Sequence, residues 1–460
     1  MTAPVVLYRG EILLRSPLHV GQGHLTRLEG VNAMRRDGAG KPIIPGTALA
    51  GVFFEWMEAH RQSQPKEKQR TEEEDQQREE PEAFWQGLSG KLSDQARVLR
   101  AAHQAEGPSG TLQEGRSALR FASAGLMTEG GDGHAEMRDR VALDPVTRTV
   151  DEGKKFAQEQ LAAGHRFHFH LEVETLFLNG DQPALLGEIE QVLLAWTRGF
   201  WLGGSSGAGN GWAQLTNLHA WHVSKDNYQA YLDAEDPFST TEPFQQLSGE
   251  APARYHLLPM VLQLEPQPDE DLWGRDFLEI HHQTYGAAGH RLDAPFYSTA
   301  VIDPAGLGLS QVENAGVYTI PGSTLRGAMR AAMAHFAQPD QIDRWFGQIS
   351  DADSGRRGLI RFRDAYGPPK QEEPWSLAGH AEDEFTAGTF DQALYNRQPL
   401  LEGVFTGSLA VPTQGAEDFL DILKTQFAPA AARRAFSLGH GGGRPRWEFT
   451  FPPDLDEEAT

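Results

Sequence analysis

The chain has 460 residues, no cysteine and a formal net charge of −23. That length calls for two domains, and the missing thiols exclude disulfides, thiolate zinc sites and a Cys nucleophile, which fits a reducing compartment. No apolar run approaches the roughly 18 residues that cross a bilayer, so a soluble, cytoplasmic protein with no membrane partner is expected; the acidic balance excludes a wholly basic nucleic-acid coat but leaves room for a local basic groove.

Residues 5–14 predict a strand, and the turn-rich stretch 16–23 ends it. His19 in that stretch is open between a structural role and a ligand contact. Residues 28–36 predict a second strand, Asp37-Gly38-Ala39-Gly40 a tight reversal, and Lys41-Pro42-Ile43-Ile44 a return. Ile44-Pro45-Gly46-Thr47-Ala48-Leu49 then opens a helix from Thr47 to about His60, with a Pro-Gly turn, a Thr able to cap, and small or apolar residues at helical spacing. A helix that starts this way leaves backbone N–H groups and its positive dipole end for a phosphate.

From about 61 to 116, Gln, Glu, Lys and Arg dominate, and an inserted polar helix or loop is expected. Residues 117–124 alternate as a strand. Residues 138–155 predict a charged hairpin arm. Alternation resumes over 167–174, a half-buried strand that puts His168 and His170 on its polar face. Apolar residues at helical spacing over 185–201 lead into the glycine-rich run 203–211, which contains Gly204 and Gly207. Such a run lets the backbone bend and approach another group closely, yet it is neither a dinucleotide fingerprint nor a nucleotide-phosphate loop. Residues 233–253, rich in Asp, Glu, Pro, Ser and Thr, predict a linker.

The order of features then repeats. A strand is expected from 255 to 264, and Ile320-Pro321-Gly322-Ser323-Thr324-Leu325-Arg326 restates the Pro-Gly motif. Residues 358–365 restate the alternating strand, and 438–447, with Gly441 and Gly442, the glycine-rich run before an aromatic residue. The Pro-Gly motifs at 45 and 321 stand further apart than the strands around 121 and 362, so the second copy has a longer lead-in and lacks most of the polar insert. Loops accept such length changes where cores do not. The expected organisation is a first domain over 1–225 with its insert at about 61–116, a linker over 226–253, a second domain over 254–452 and an acidic tail over 453–460.

This order of motifs, met twice, resembles the RAMP superfamily, and within it the tandem backbone subunits of type III CRISPR effector complexes of the Csm and Cmr kind. The resemblance is carried by residues 19–23, 40–51, 141–144, 152–156 and 163–167 with the first glycine-rich run, and by 320–330, 361–365, 401–405 and 438–447 in the second half. It implies an α+β fold of two tandem ferredoxin-like (RRM-like) domains with inserted thumb hairpins, a guide RNA (crRNA) running over the core, a complementary target RNA and other effector subunits as partners. On this resemblance Gly46, Thr47, Gly322 and Ser323 meet guide phosphates at the helix starts. Arg35, Arg36, Lys41, Arg326 and Arg330 supply charge, and Gly204, Gly207, Gly441 and Gly442 allow close approach, with base pairing choosing the target.

Catalytic members of the family cut target RNA with an Asp in the loop before the Pro-Gly motif, a position where a carboxylate can place Mg²⁺ or act as a base. Asn32 stands there in the first copy, which is therefore expected to bind without cutting. The second copy offers Asp293, flanked by His290 and Arg291, with Asp303 as a second candidate; Mg²⁺ is called for only if this domain cleaves. Two other readings stay open: an RNA-binding duplicate with no nuclease, and a metal-dependent hydrolase built on His281 and His282 or on His165, His168 and His170.

Overall fold

The computed structural model describes residues 4–22, 31–63, 117–127, 135–143, 150–175, 178, 182–240, 243–251, 253–265, 298–299, 316–348, 356–369, 377–382, 389–439 and 443–453. Most of the polar insert, Asp293, Asp303, His281, His282, His290, Arg291, Gly441 and Gly442 lie outside the described residues.

In the first half β1 (Val5–Leu14), α1 (Gly46–Ser63), β2 (Leu119–Phe121), β3 (Arg166–Glu174), α2 (Gln182–Arg198) and β4 (Trp212–Val223) follow in chain order. β1 pairs antiparallel with β4 on one side and β3 on the other, and β3 carries β2, so the sheet runs β4-β1-β3-β2. This is the ferredoxin-like βαββαβ arrangement. Alternation along β1 sends Val6, Tyr8, Ile12 and Leu14 into the core. Along β4 the inward set changes from Ala213 and Leu215 to Leu218 and Ala220. The cause is a bulge at Asn217, which sits at φ 52° while the register steps from Arg9↔His219 to Glu11↔Thr216. Between sheet and helices, Trp196 stacks on Phe200 at 4.1 Å and meets Phe53 edge-on at 5.9 Å. Burying each such ring contributes roughly 2–3 kcal/mol.

The second half repeats the plan. β5 (Tyr255–Leu264), α3 (Gly322–Met333), α4 (Pro339–Phe346), β6 (Arg361–Phe362), β7 (Gly403–Pro412), α5 (Glu417–Ile422) and β8 (Arg446–Phe449) follow one another, and the sheet runs β8-β5-β7-β6. Residue correspondences come from the ladders: Phe121↔Leu171 in one half matches Phe362↔Leu409 in the other, and Ile44↔Ala124 matches Ile320↔Ala365. A second apolar core, with Trp345, Phe346, Phe362, Phe419 and Trp447, fills this half. Each half also has a two-stranded hairpin, Ala135–Leu143 with Val150–Leu161 and Leu377–Glu382 with Thr389–Arg397. The first is longer at both ends than the expected 138–155.

Residues 226–253 are not a free linker. They form a short helix Tyr228–Asp233, a turn Pro237–Ser239 and a strand Gln245–Gln246 that adds to the edge of β4. Phe244, Trp221, Val223 and Leu7 make a small apolar cluster on the outer face of the first sheet, with Val5, Tyr231 and Phe238 packed against it. Polar composition concealed this, because the anchors are a few aromatic residues spread among the acids.

The halves pack closely. Tyr255 and Ala410 of the second half belong to the core of the first, and Tyr255 meets Trp212 edge-on at 6.2 Å. Arg361 lies over Trp201 at 5.3 Å and Tyr255 at 5.1 Å; burial pushes its guanidinium down to about 10, and it remains cationic at neutral pH.

Candidate nucleic-acid interface

The two Pro-Gly motifs are built alike. A Cβ on Gly46 would lie 2.1 Å from the Phe121 carbonyl oxygen, and one on Gly322 would lie 2.4 Å from that of Phe362. Glycine is required here because β2 or β6 passes directly over the start of the helix. The glycine N–H is also taken: Gly46 donates to Ser123 Oγ at 3.3 Å, and Gly322 donates to Asp364 Oδ1 at 2.7 Å. The expectation that these N–H groups stand open to a phosphate is therefore corrected. In each unit the residue two positions after the crossing strand, Ser123 or Asp364, supplies the acceptor. The next residues, Thr47 and Ser323, are exposed, so each helix start still reaches the surface.

Around the first start, Arg35 and Lys41 are exposed. Asp37 shapes the reversal between them, its Oδ1 accepting the Ala39 and Lys41 N–H groups at 2.9 Å each. Arg36 pairs with Glu159, whose other oxygen accepts the Met34 N–H at 2.7 Å, so this cation is held within the protein. Asn32 pairs in parallel with Gln158 at the base of the first hairpin.

The glycine-rich run sits beside these residues. Gly204 donates to the His19 carbonyl at 3.0 Å, and Arg35 donates to the carbonyl of Val20 at 2.7 Å, so residues 19–20 link the glycine loop to the cation pair. His19 is buried with Nδ1 2.6 Å from the Glu159 carbonyl, which can only accept, so this side of the ring is engaged within the protein. On its far side the loop meets the second half. Ser206 accepts a hydrogen bond from Arg357, and the Cα of Gly207 faces the Arg326 guanidinium, 3.9 Å from where a Cβ would stand.

The structure thus seats the start of α3, with Ser323 and Arg326, against the loop that carries Gly204 and Gly207, and joins Arg35 and the reversal that carries Lys41 to the same loop through residues 19–20. Two of the cations expected to meet RNA, Arg326 and Arg330, are employed inside the protein. Arg326 donates to the Phe346 carbonyl, and burial and then Arg330 pull it below its ordinary value. Arg330 donates to the Gly347 carbonyl and pairs with Asp343 at 2.6 Å.

Beneath the loop lies a buried polar junction that sequence reasoning missed. Arg138, at the base of the first hairpin, pairs with Asp364 at 2.8 Å, with side chains 4% and 0% exposed. Gln160 and Asn210 also accept from Arg138, at 3.5 and 3.4 Å. Asp364 therefore caps α3 and ties the first domain to it. The only sequence signal was that Asp364 stands where the first copy has Ser123.

Residues 11–214 and 302–417 match the model of the RAMP superfamily. The chain belongs to the RAMP superfamily. Membership supports a CRISPR-associated RNA-binding role, and the two matched regions fall on the two ferredoxin-like units. No curated protein matches the chain.

As a RAMP protein it departs from RRM-type recognition, in which bases stack on the open face of the sheet. In the first unit that face is covered by residues 228–246, and in the second its Tyr255 end is covered by the first unit. Of the histidine alternative, His281 and His282 lie outside the described residues; of the other set, His165 is buried with Nδ1 3.0 Å from the Ala162 carbonyl and His170 stacks on Phe238 at 4.3 Å, and among the described residues no group of three or more His, Asp or Glu could hold a metal.

Proposed function

We propose that this RAMP protein is a tandem backbone subunit of a type III CRISPR effector complex, holding guide RNA across both of its units. The observation that carries the reading is that the glycine-rich loop of the first unit seats the Pro-Gly helix start of the second, a Cβ on Gly322 standing 3.0 Å from the Ala208 carbonyl oxygen, while its other side is tied through residues 19–20 to the exposed Arg35 and the reversal that carries Lys41. A polynucleotide crossing this loop is gripped through its backbone, so recognition is independent of guide sequence and base pairing selects the target. Cleavage of that target is assigned to Asp293 with Mg²⁺, on the family resemblance, and the first unit, with Asn32 in that place, binds only.

Co-expression with its neighbouring genes and array tests the assignment. Purified complex is expected to carry RNA of guide length, and RNA-free complex refutes it. Asp293→Ala is expected to abolish Mg²⁺-dependent target cleavage while RNA is retained; unchanged cleavage makes the chain a non-cutting RNA scaffold.

A further inference from the structure

The junction between the two units is head-to-tail: the sheet face of the second receives the loop end of the first. Contacts of this kind use two different surfaces, so they propagate to further units unless something closes them. The ladder correspondences show what closes them here. Residues Tyr255, Leu257, Ser408 and Ala410 form the receiving face of the second unit: Tyr255 and Ala410 join the core of the first unit and Leu257 packs against it. Arg363, beside Ser408, donates to the Arg15 carbonyl of the first unit at 2.6 Å.

The matching positions in the first unit are Val5, Leu7, His170 and Glu172. Every one of them is occupied by the chain's own residues 228–246. Leu7 is buried with Trp221 and Phe244, and Val5 packs against that cluster. His170 stacks on Phe238 at 4.3 Å and 7°, and Glu172 accepts from the Tyr231 hydroxyl at 3.3 Å. The cover is latched by Arg9, which donates to the carbonyls of Phe238 at 2.9 Å and Thr240 at 2.5 Å and lies 4.0 Å over the Phe244 ring.

We propose that residues 228–246 are an intramolecular cover that occupies, on the first unit, the same docking face through which the second unit receives its neighbour. Head-to-tail addition of RAMP units, including a second copy of this chain, ends at the N-terminal unit. The segment thereby fixes a direction: any further unit joins elsewhere than on β1 and β3.

The test is the mass of the purified full chain in RNA-free solution over increasing concentration, by sedimentation or light scattering. Without RNA, its outcome is independent of the RNA-binding reading. Wild type is expected to stay at one chain. Because the chain has no Cys, the paired residues His219 and Gln246 can be changed to a disulfide, H219C/Q246C, that locks the cover shut, and this variant is expected to behave as wild type. Phe238→Ser with Phe244→Ser opens the cover, and Arg9→Ala opens it by a second route that leaves every apolar residue in place. At least one opened variant that keeps wild-type far-ultraviolet dichroism is expected to shift from one chain toward two or more. Folded opened variants that remain single chains overturn the proposal, as does wild-type self-association that the lock abolishes.

Discussion

Removing the Asp364 carboxylate tests whether the two RAMP units act as one body. In Asp364→Ala, Arg138 stays buried without its anion, and α3 loses the acceptor for the Gly322 N–H. Breaking a buried pair from one side costs about 3–5 kcal/mol, and losing a cap about 1 kcal/mol. Arg138 keeps Gln160 and Asn210 as neutral acceptors, so the lower part of that range, about 3–4 kcal/mol in all, is expected. The assay is urea denaturation followed separately in each unit. Since the pair spans the junction, the variant should split the unfolding into two transitions, with the second unit leaving first. Arg138→Met combined with Asp364→Leu removes both charges and should recover most of the loss, a coupling that a double-mutant cycle measures. A single-variant cost below about 1 kcal/mol, or a double variant as damaged as the sum of the singles, would refute the reasoning.

Gly46→Ala and Gly322→Ala each drive a Cβ into a carbonyl oxygen and should lower stability by about 2 kcal/mol or more, whereas Gly327→Ala, in open space on α3, should raise it by roughly 0.5–1 kcal/mol; urea midpoints decide. Arg35→Ala with Lys41→Ala should weaken RNA binding and flatten its dependence on log salt by about 1–2 units of slope, while Arg330→Ala should reduce stability with little change in that slope, as gel-shift titrations over a salt series would reveal. His170 is held below its ordinary value by burial, then by His168, with Asp236 opposing and Arg9 adding to the effect. As pH falls through about 6.5 the unfolded chain takes up the proton first, so the stability of the first unit declines with pH below that point until the folded His170 itself titrates. His170→Phe should remove this part of the decline in urea midpoints compared at pH 7.5 and 5.5; an unchanged profile would contradict it.

Much of the plan was legible along the chain because it rests on local rules. Alternation over 5–14, 167–174 and 255–264 marks strands that occupy those residues or nearly so, and helical spacing after each Pro-Gly motif marks α1 and α3. Asp37 and the glycines after it mark their reversal for the same reason. The cover was missed because residues 226–253 are polar on average, and burial there depends on Tyr231, Phe238 and Phe244 meeting Leu7 and Trp221, which are remote in sequence.

The sequence by itself determined a duplicated α+β chain, since strand period, helix period and turn chemistry each act within a few residues and the same series occurs twice. Only tertiary structure decided what the motif residues touch. Gly322 faces a carbonyl because β6 crosses it, Asp364 is a cap because α3 begins beside it, and Arg138 reaches that carboxylate across 226 positions of chain. Pairings of that range are set by how two sheets and a loop pack together, a property no local pattern of residues carries.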